Sequence, residues 1–373
     1  MRNQSRSVVR ILAAALVGAG SAVVPAAIAH ANPACGSTIT VSTTLTADLV
    51  CSGDAIIVGA SGVTLDLGGF NIIGSGTGSG VRTQMLVNDV TVTNGGVSGF
   101  ATDVYVYQSK RAILSSLSVQ GGIGVKIQNG NDSKVLSSSV TNASVSVTFS
   151  SGVTFDDATL DHAPLSANSS NSLKVTLSDA TDGAVNIDQS DNVQLINSTF
   201  TRAPIAYGTT SRNILIQNNT IQGALTGVRI YVTGLNGRIL NNTFTGNGIG
   251  VRTTVNDLAT IAGTNISGNT FTGNDAAGVL FEVSTDSGLS STATVSGNTF
   301  DGNGFVGGVN DRLGRPVADG AHFATFVNAK VTVKNNIALN NASYGIFADP
   351  GTVIDGGGNT STGDPNGCSG VIC

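Results

Sequence analysis

Residues 214–231 of the chain read ILIQNNTIQGALTGVRIY, and residues 238–254 read RILNNTFTGNGIGVRTT. Both stretches contain an apolar segment, an Asn-Asn turn, a Thr followed by an apolar residue, and a Gly-Val-Arg segment, in that order. Apolar and polar residues alternate within the segments, as they do in a β-strand that buries one face. Each stretch therefore predicts three short strands separated by Asn and Gly turns.

The same unit recurs along most of the chain. The apolar position after the Thr, which is Phe244 in the second stretch, has equivalents at intervals of 20 residues or more. They are Val97, Val119, Val140, Leu160, Ala180, Phe200, Ile221, Phe271, Phe300 and Ala338. Strands this short can bury an apolar side if the chain coils and each strand pairs with its equivalent about 4.8 Å along. The repeat predicts an all-β, single-stranded, right-handed parallel β-helix of about 11 to 13 coils.

The N-terminus carries a targeting pattern. Arg2, Arg6 and Arg10 precede an apolar run at 11–24, and small residues follow up to Ala29-His30-Ala31. This pattern predicts a secretory signal peptide over residues 1–31 and therefore a secreted protein. The remaining chain carries 15 basic and 23 acidic residues, a net charge of −8, which argues against nucleic acid as the partner. No later apolar segment reaches the roughly 18 residues of a membrane span.

Four cysteines in an exported chain predict two disulfides with three possible connectivities. Their positions favour Cys35 with Cys51 and Cys368 with Cys373, one pair near each end. Because the ends of a strand stack invite aggregation, both need covers. We therefore expect an N-terminal cap over residues 32–54, the β-helix over 55–355 and a C-terminal cap over 356–373, and we expect a monomer.

From Val63 to Asp355 the pattern resembles the right-handed parallel β-helix proteins of the pectin-lyase-like superfamily. The resemblance rests on the Asn-rich turns before Thr-Phe or Thr-Ile and on the Gly-Val-Arg segments. The resemblance implies the fold. It does not imply one function, because the superfamily includes polysaccharide lyases, glycoside hydrolases, epimerases, adhesins and proteins with no assigned activity. The superfamily's catalytic signatures match poorly: Asp156-Asp157 lacks the other hydrolase motifs, Leu160-Asp161-His162 lacks the Trp of pectate lyases, and Asp349-Pro350 continues into Gly351.

Stacking the Gly-Val-Arg strands aligns their outward side chains into two columns. An extended ligand would lie along these columns, where Arg and Lys bind carboxylates and Tyr stacks on sugar rings. The alternative is that Tyr, Thr and long polar side chains are there because they suit exposed strands. The candidate substrate-binding residues are Arg82, Tyr105, Tyr107, Lys126, Asn186, Asp188 and Tyr231.

The unit lengthens after Tyr231, which predicts loops at 256–262, 284–291 and 304–323. Loops on a rigid scaffold are common sites of binding and catalysis. The last loop contains Asp311, Arg312, Arg315, Asp319 and His322. We take Arg229, Arg252 and His322 as candidate catalytic residues for an elimination reaction, in which Arg acts as base or cation. The alternative is that these charges form exposed ion pairs that keep a long loop soluble.

Three functions remain open on the sequence. The leading hypothesis is a secreted protein that binds extracellular polysaccharide along the Gly-Val-Arg face. The second is an enzyme on an acidic glycan, a lyase rather than a hydrolase, and the third is a noncatalytic rod or adhesin. No cofactor is indicated and no metal motif is present; Ca²⁺ is the one candidate ion, at carboxylate pairs such as Asp156 with Asp157.

Overall fold

The computed structural model describes residues 32–231, 234–255, 262–283, 292–325 and 330–373. The predicted signal peptide lies outside them, as do most of the predicted loop at 256–262 and all of the loop at 284–291. Within these ranges the regular structure consists of strands, with no helix. The chain coils so that every strand pairs in parallel with its equivalent in the next turn, which confirms the parallel β-helix.

One sheet of 15 strands runs the length of the rod, and we call it the GVR sheet because it contains the Gly-Val-Arg segments. Its strands are β1 Ser37–Ile39, β4 Ile56–Val58, β7 Ser79–Thr83, β9 Thr102–Tyr107, β11 Ile123–Gln128, β14 Ser144–Thr148, β17 Leu165–Asn168, β20 Val185–Asp188, β23 Ile205–Gly208, β26 Thr226–Tyr231, β29 Ile249–Val255, β32 Ala277–Val283, β35 Asp319–Thr325, β38 Ile346–Ala348 and β41 Cys368–Ser369.

The other strands form two stacks. Two long strands, β8 Thr91–Ser98 and β10 Ile113–Gln120, belong to both stacks and connect them. The second stack also contains β2 Thr43–Thr44, β5 Thr64–Asp66, β12 Lys134–Leu136, β15 Thr154–Asp156, β18 Lys174–Thr176, β21 Gln194–Ile196, β24 Leu215–Gln217, β27 Arg238–Leu240, β30 Thr264–Ser267, β33 Thr292–Ser296, β36 Lys330–Lys334 and β39 Val353–Asp355. The third also contains β3 Leu49–Val50, β6 Asn71–Ile73, β13 Ser139–Thr141, β16 Thr159–Asp161, β19 Asp179–Thr181, β22 Thr199–Thr201, β25 Thr220–Gln222, β28 Thr243–Thr245, β31 Thr270–Thr272, β34 Thr299–Asp301, β37 Ile337–Leu339 and β40 Thr360–Thr362.

The predicted caps contribute strands to the coil. β1, β2 and β3 pair with β4, β5 and β6, and β40 and β41 pair with β37 and β38. The rod therefore has more turns than the 11 to 13 predicted, because the terminal segments fold as turns themselves. That they also cover the ends of the rod stays a prediction. Both disulfides pair as favoured, Cys35 with Cys51 and Cys368 with Cys373.

Alternation along the strands directs one row of apolar side chains into the rod. In the third stack these rows bring identical side chains into register, so that Phe244 stacks on Phe271 at 4.7 Å between ring centroids and Phe271 on Phe300 at 5.1 Å. All three rings are fully buried. Burial of each such side chain contributes about 1.5–3 kcal/mol.

The two residues of each Asn-Asn turn have different structural roles. The first residue, such as Asn218 or Asn241, has a positive φ of 56° or 54° and lies outside the rod, because Asn tolerates the left-handed conformation of a sharp turn. The second residue is buried and bonds to its equivalents in adjacent turns. We call this buried row the first amide ladder; it consists of Asn219, Asn242, Asn269, Asn298, Asn336 and Asn359.

Asn269 shows how the first amide ladder satisfies its polar atoms. Its Oδ1 accepts hydrogen bonds from the backbone N–H (2.8 Å) and Nδ2 (3.0 Å) of Asn242. Its own Nδ2 donates to Oδ1 of Asn298 (3.0 Å) and to the carbonyl of Ile239 (2.8 Å). A second ladder, Asn247, Asn274, Asn303 and Asn341, is built in the same way and ends on the carboxylate of Asp364.

Candidate functional site

The register of the GVR sheet confirms that the predicted outward columns are continuous. The first column runs through Arg82, Tyr105, Lys126, Ser146, Ser166, Asn186, Ala206, Arg229 and Arg252, each paired with the next. The second runs through Tyr107, Gln128, Thr148, Asn168, Asp188, Gly208 and Tyr231. Successive members of a column lie about 4.8 Å apart. The candidate binding residues therefore share one face.

The N-terminal part of this face is aromatic and polar. The rings of Tyr105 and Tyr107 lie 5.4 Å apart, and Lys126 Nζ lies 4.9 Å above the centre of the Tyr105 ring. The Tyr105 hydroxyl donates to Gln128 Oε1 at 2.7 Å. Arg82 forms an ion pair with Asp54 at 2.9 Å, so part of its charge is neutralised. Lys126 and the two rings remain partly exposed and accessible to a ligand.

Tyr231 reaches two turns back along the second column and donates a hydrogen bond to Asp188. It can do so because the residue between them is Gly208, where an added Cβ would collide with the backbone and ring of Tyr231. Burial and the hydrogen bond to Asp188 raise the pKa of Tyr231 to about 12. Its phenol is therefore protonated at neutral pH and would be a poor general base.

Arg229 and Arg252 are direct partners in register and extend from the same face. Nη2 of Arg252 bonds to Oε2 of Glu282 at 3.1 Å, and Oε1 of Glu282 accepts the backbone N–H of Arg312 at 2.9 Å. Glu282 is fully buried, whereas the Arg252 side chain keeps 28% of its surface exposed. Guanidinium groups bind carboxylates, and Arg252 already binds the carboxylate of Glu282 beside Arg229.

Sequence reasoning did not identify Glu282 as part of this site. It lies in the second column, opposite Thr254 and two positions beyond Tyr231. A usable signal was present, because Glu282 is the only Glu in the chain and stands in an otherwise apolar strand. What the sequence did not show is that the later loop buries this carboxylate.

The loop 304–318 lies on the GVR sheet. Its Val317 and Val309 pack against Ile249, Ala277 and Leu280, which form a small apolar cluster separate from the main core. Leu280 follows Arg252 in the first column and is completely buried although it points outward. The loop therefore ends the exposed part of the face just beyond Arg252.

His322 follows Leu280 in the first column, so Leu280 separates it from Arg252. It is 2% exposed, and its ring nitrogens lie 2.7 Å from Asp319 Oδ2 and 3.2 Å from Asp311 Oδ2. The structure thus brings Arg229 and Arg252 together and places His322 apart from them, beneath the loop. The predicted catalytic trio does not converge on one point, because the loop and Leu280 separate its members.

An arginine of the loop completes the surroundings of His322. Arg315 bonds to Asp311 and forms two parallel hydrogen bonds with Asp349, at 2.6 and 2.7 Å. Burial raises the pKa of Asp311, but hydrogen bonds from the backbone and side chain of Arg315 outweigh it, and the net effect lowers that pKa. The ring of Phe347 stacks on His322 at 4.7 Å. Asp311, Arg315, Asp319 and His322, which the sequence placed in this loop, are therefore paired with one another or with Asp349.

Within the described ranges, three possible metal ligands converge at one place. Ligand atoms of Asp161, His162 and Asp182 lie within 4.8 Å of one another. Arg202 already bonds to both carboxylate oxygens of Asp182, at 2.6 and 2.7 Å. This group is an ion-paired surface cluster. Among the residues that the structure describes, Asp156 and Asp157 do not belong to a group of three or more possible metal ligands. Binding of Ca²⁺ by Asp156 and Asp157 stays a hypothesis.

A stack of parallel strands with outward columns along one face defines a β-solenoid of the right-handed parallel β-helix class. The model of the family described as "Right handed beta helix region" matches residues 145–300 and 183–369. The chain belongs to this family. None of the described residues forms a helix long and apolar enough to cross a membrane.

Solved structures with a similar fold include three proteins of 11–12% identity. The periplasmic alginate epimerase AlgG has 11% identity over 90% of this chain and 77% of its own, with a TM-score of 0.36. The A-module of the Azotobacter vinelandii mannuronan C-5 epimerase AlgE6 has 12% identity over 90% of each chain, with a TM-score of 0.38. The Streptococcus pneumoniae surface protein and adhesin PfbA has 12% identity over 85% of this chain and 89% of its own, with a TM-score of 0.41. These likenesses concern the general fold. No curated protein matches the sequence significantly.

Proposed function

We propose that this protein is exported and binds an acidic polysaccharide along the outward columns of the GVR sheet. The observation that carries the proposal is the register of Arg229 with Arg252, beside Tyr231 on the same exposed face. A polyanionic chain laid along the rod would meet these two guanidinium groups at one end of the face. Lys126, Tyr105 and Tyr107 would meet it nearer the other end.

Export is supported by the two disulfides, because such bonds persist mainly in oxidising compartments. The disulfides suit an extracellular or periplasmic location equally well. The N-terminal pattern of three arginines before an apolar run is the reason to favour secretion.

The geometry supports binding better than elimination. Arginine stays protonated in proteins, so Arg229 and Arg252 supply positive charge and are unsuited to take a proton. Tyr231 is also an unsuitable base, since its pKa is raised to about 12. His322, the remaining candidate, is buried with both nitrogens bonded. Binding of a carboxylate by the guanidinium groups needs none of these groups to titrate.

Replacement of both tyrosines, Tyr105→Ala with Tyr231→Ala, is expected to reduce retention on an acidic polysaccharide gel about tenfold or more. Each ring lost removes about 0.5–1.5 kcal/mol of stacking beyond its buried area. The measurement is affinity electrophoresis or elution volume on an alginate or pectate matrix. Tyr105→Phe with Tyr231→Phe keeps both rings and should retain most of the binding. Lys330→Ala with Lys334→Ala, on the second stack, removes two charges from another face and should change little.

Unchanged retention in the double alanine variant would eliminate the proposed face. Equal loss in the Lys330 and Lys334 variant would instead indicate binding by overall charge.

An enzyme remains the second candidate, because two guanidinium groups in register are also suited to stabilise a developing carbanion beside a sugar carboxylate. We expect no rise in ultraviolet absorbance from an unsaturated product when the protein is incubated with uronate polysaccharides, with or without Ca²⁺. A rise that disappears in Arg229→Ala would establish a lyase on this face and contradict the noncatalytic proposal.

A further inference from the structure

The outward side of the third stack carries a two-dimensional array of threonines. In five consecutive turns, β22, β25, β28, β31 and β34 pair in register without a shift. The first residue of each of these strands is Thr, and the third is Thr in β22, β28 and β31. We call these residues the Thr face: Thr199, Thr220, Thr243, Thr270 and Thr299 in one column, and Thr201, Thr245 and Thr272 in the other. Gln222 and Asp301 occupy the two remaining positions.

The spacing of the Thr face is set by the backbone. Neighbouring members of a column lie about 4.8 Å apart, which is the distance between paired strands. The two threonines of one strand, such as Thr243 and Thr245, are two residues apart and point to the same side, so they lie about 6.6 Å apart. The side chains therefore repeat at fixed distances in two directions, along the strands and across them.

Buried rows beneath and beside the Thr face keep it flat. Phe244, Phe271 and Phe300 lie under it, and the planes of successive rings differ by only 8° and 16°. Flat sheets are unusual and depend on stacking of this kind or on side-chain ladders. Around β28, β31 and β34 both are present, because the first amide ladder precedes each strand and the second ladder follows it, as Asn242 and Asn247 do for β28. The face is therefore rigid as well as regular.

The loops that lengthen the unit are inserted at other corners of the turn. Residues 242–247, 269–274 and 298–303 read NTFTGN, NTFTGN and NTFDGN, so the segment that bears the Thr face keeps its length. The extra residues lie before the second stack or, at 304–318, on the GVR sheet. Three of the eight threonines are exposed and five are half-buried. Their side chains are therefore accessible from outside the rod.

The Thr face is almost neutral, and most of its hydroxyls have no protein partner. Asp301 is the only ionisable residue in its two columns, although the chain from Asn32 carries a net charge of −8. Gln222 Nε2 donates to Thr201 Oγ1 at 3.0 Å. Within the described ranges, no other hydroxyl of the face forms a hydrogen bond to the protein. This surface is complementary to a neutral partner that has a regular array of hydrogen-bonding groups of its own.

We propose that the Thr face binds ice. The oxygen atoms of an ice surface occupy fixed, regularly spaced positions, whereas those of liquid water do not. A protein distinguishes ice from water only when many of its groups match these positions at once. The two repeat distances of the Thr face are close to those of the oxygen atoms on a prism face of ice. Because the face is rigid before it binds, little ordering cost opposes the contact.

Each threonine contributes two groups to this contact. Its hydroxyl both donates and accepts hydrogen bonds, as the water molecules of the lattice do. Its methyl group fills the space between neighbouring oxygens. Because Thr is branched at Cβ, its χ1 angle is restricted, which limits how far the hydroxyls depart from a regular array. Ice binding uses a different side of the rod from the GVR sheet and requires no glycan.

Uptake into slowly growing ice tests the proposal. The protein is partly frozen in a mixture with a protein that does not bind ice, and the ratio of the two is measured in the ice and in the liquid. We expect the ratio to be about tenfold or more higher in the ice. Thr243→Lys with Thr270→Lys replaces two exposed threonines by long charged side chains and should abolish the enrichment. Thr294→Lys with Thr332→Lys adds the same charges to paired positions of the second stack and should leave it unchanged.

Completion of the second column provides a readout that loss of folding does not imitate. Gln222→Thr with Asp301→Thr makes every position of the array threonine in all five turns. More groups then match the lattice, so we expect this variant to enter ice more strongly than the unmodified protein. It should also suppress ice recrystallisation at a lower protein concentration. Circular dichroism checks that each variant is folded.

Uptake of the unmodified protein no greater than that of the nonbinding protein would overturn the proposal. Equal uptake of the Thr243 and Thr270 variant, or no gain on completion of the second column, would overturn it as well. Retention on crystalline cellulose without uptake into ice would do the same, since cellulose is another neutral and ordered surface. None of these assays contains an acidic polysaccharide, so their failure is distinct from failure of the gel assay.

Discussion

Asn269→Ala is expected to lower the free energy of unfolding by about 3–5 kcal/mol, because each buried polar group left without a partner costs about 1–3 kcal/mol. The substitution removes the acceptor of both Asn242 donors and the donor to Ile239 and Asn298. All of these groups are buried beside Asn269, so removal of the amide leaves them without a partner. Denaturant unfolding followed by circular dichroism measures the loss.

Asn241→Gly is the matched control for the first amide ladder. Asn241 is exposed, has a φ of 54°, and precedes a residue of the ladder. Gly268, with a φ of 67°, occupies the equivalent position one turn further along. The glycine variant should therefore change stability by less than about 1 kcal/mol. If both variants lose the same small amount, the ladder contributes little and the apolar rows stabilise the rod alone.

Asp103→Asn is expected to stabilise the protein at pH 8 by about 2–4 kcal/mol and to have a clearly smaller effect near pH 5, where only part of the cost of ionisation is present. Asp103 is fully buried, and its Oδ1 accepts the backbone N–H of Phe100 at 3.0 Å. Its Oδ2 has no hydrogen-bond partner among the residues that the structure describes. Burial raises the pKa of Asp103 to about 7, from an ordinary value of 3.8. Asparagine retains the acceptor for Phe100 without the charge.

The sign follows because the folded state holds the Asp103 proton more strongly than the unfolded state does. Stability therefore decreases as pH rises from about 4 to about 7, and the full cost of ionisation is present above that range. Thermal unfolding of both proteins at pH 5 and pH 8 gives the comparison. Asp89→Asn is the control, since Arg111 lowers the pKa of that exposed carboxyl and its removal should not stabilise the protein at pH 8. An equal effect of Asp103→Asn at both pH values would contradict this account.

The repeat made most of the fold predictable. Alternation within each segment gave the inward rows, and the spacing of Phe200, Ile221 and Phe244 gave the register of successive turns. The outward columns followed from that register without further assumptions. The terminal segments were harder to interpret because the N-terminal segment lacks the Asn turns and both segments contain strands of only two residues, so they were taken only as caps.

The site was less predictable because it depends on a segment outside the repeat. Nothing in residues 304–318 has a period, so sequence alone does not show that Val309 and Val317 pack on the GVR sheet. Burial of Glu282 and His322 follows from that packing. Leu280 was an unused indication, since a leucine in an outward column implies a cover. Asp103 was also detectable from the sequence. The equivalent positions in the two neighbouring strands are Gly80 and Gly124, so a carboxylate between them stands out.

The turns between Ser144 and Asp188 repeat at a strict interval of 20 residues with no register shift. Each strand there bonds only to the turns before and after it. A tandem duplication of one such unit would thus preserve every local environment while moving Arg229 one step farther from Tyr105. The number of 20-residue units that the gene encodes therefore sets the distance between the two ends of the face. That distance can change only in steps of one whole turn.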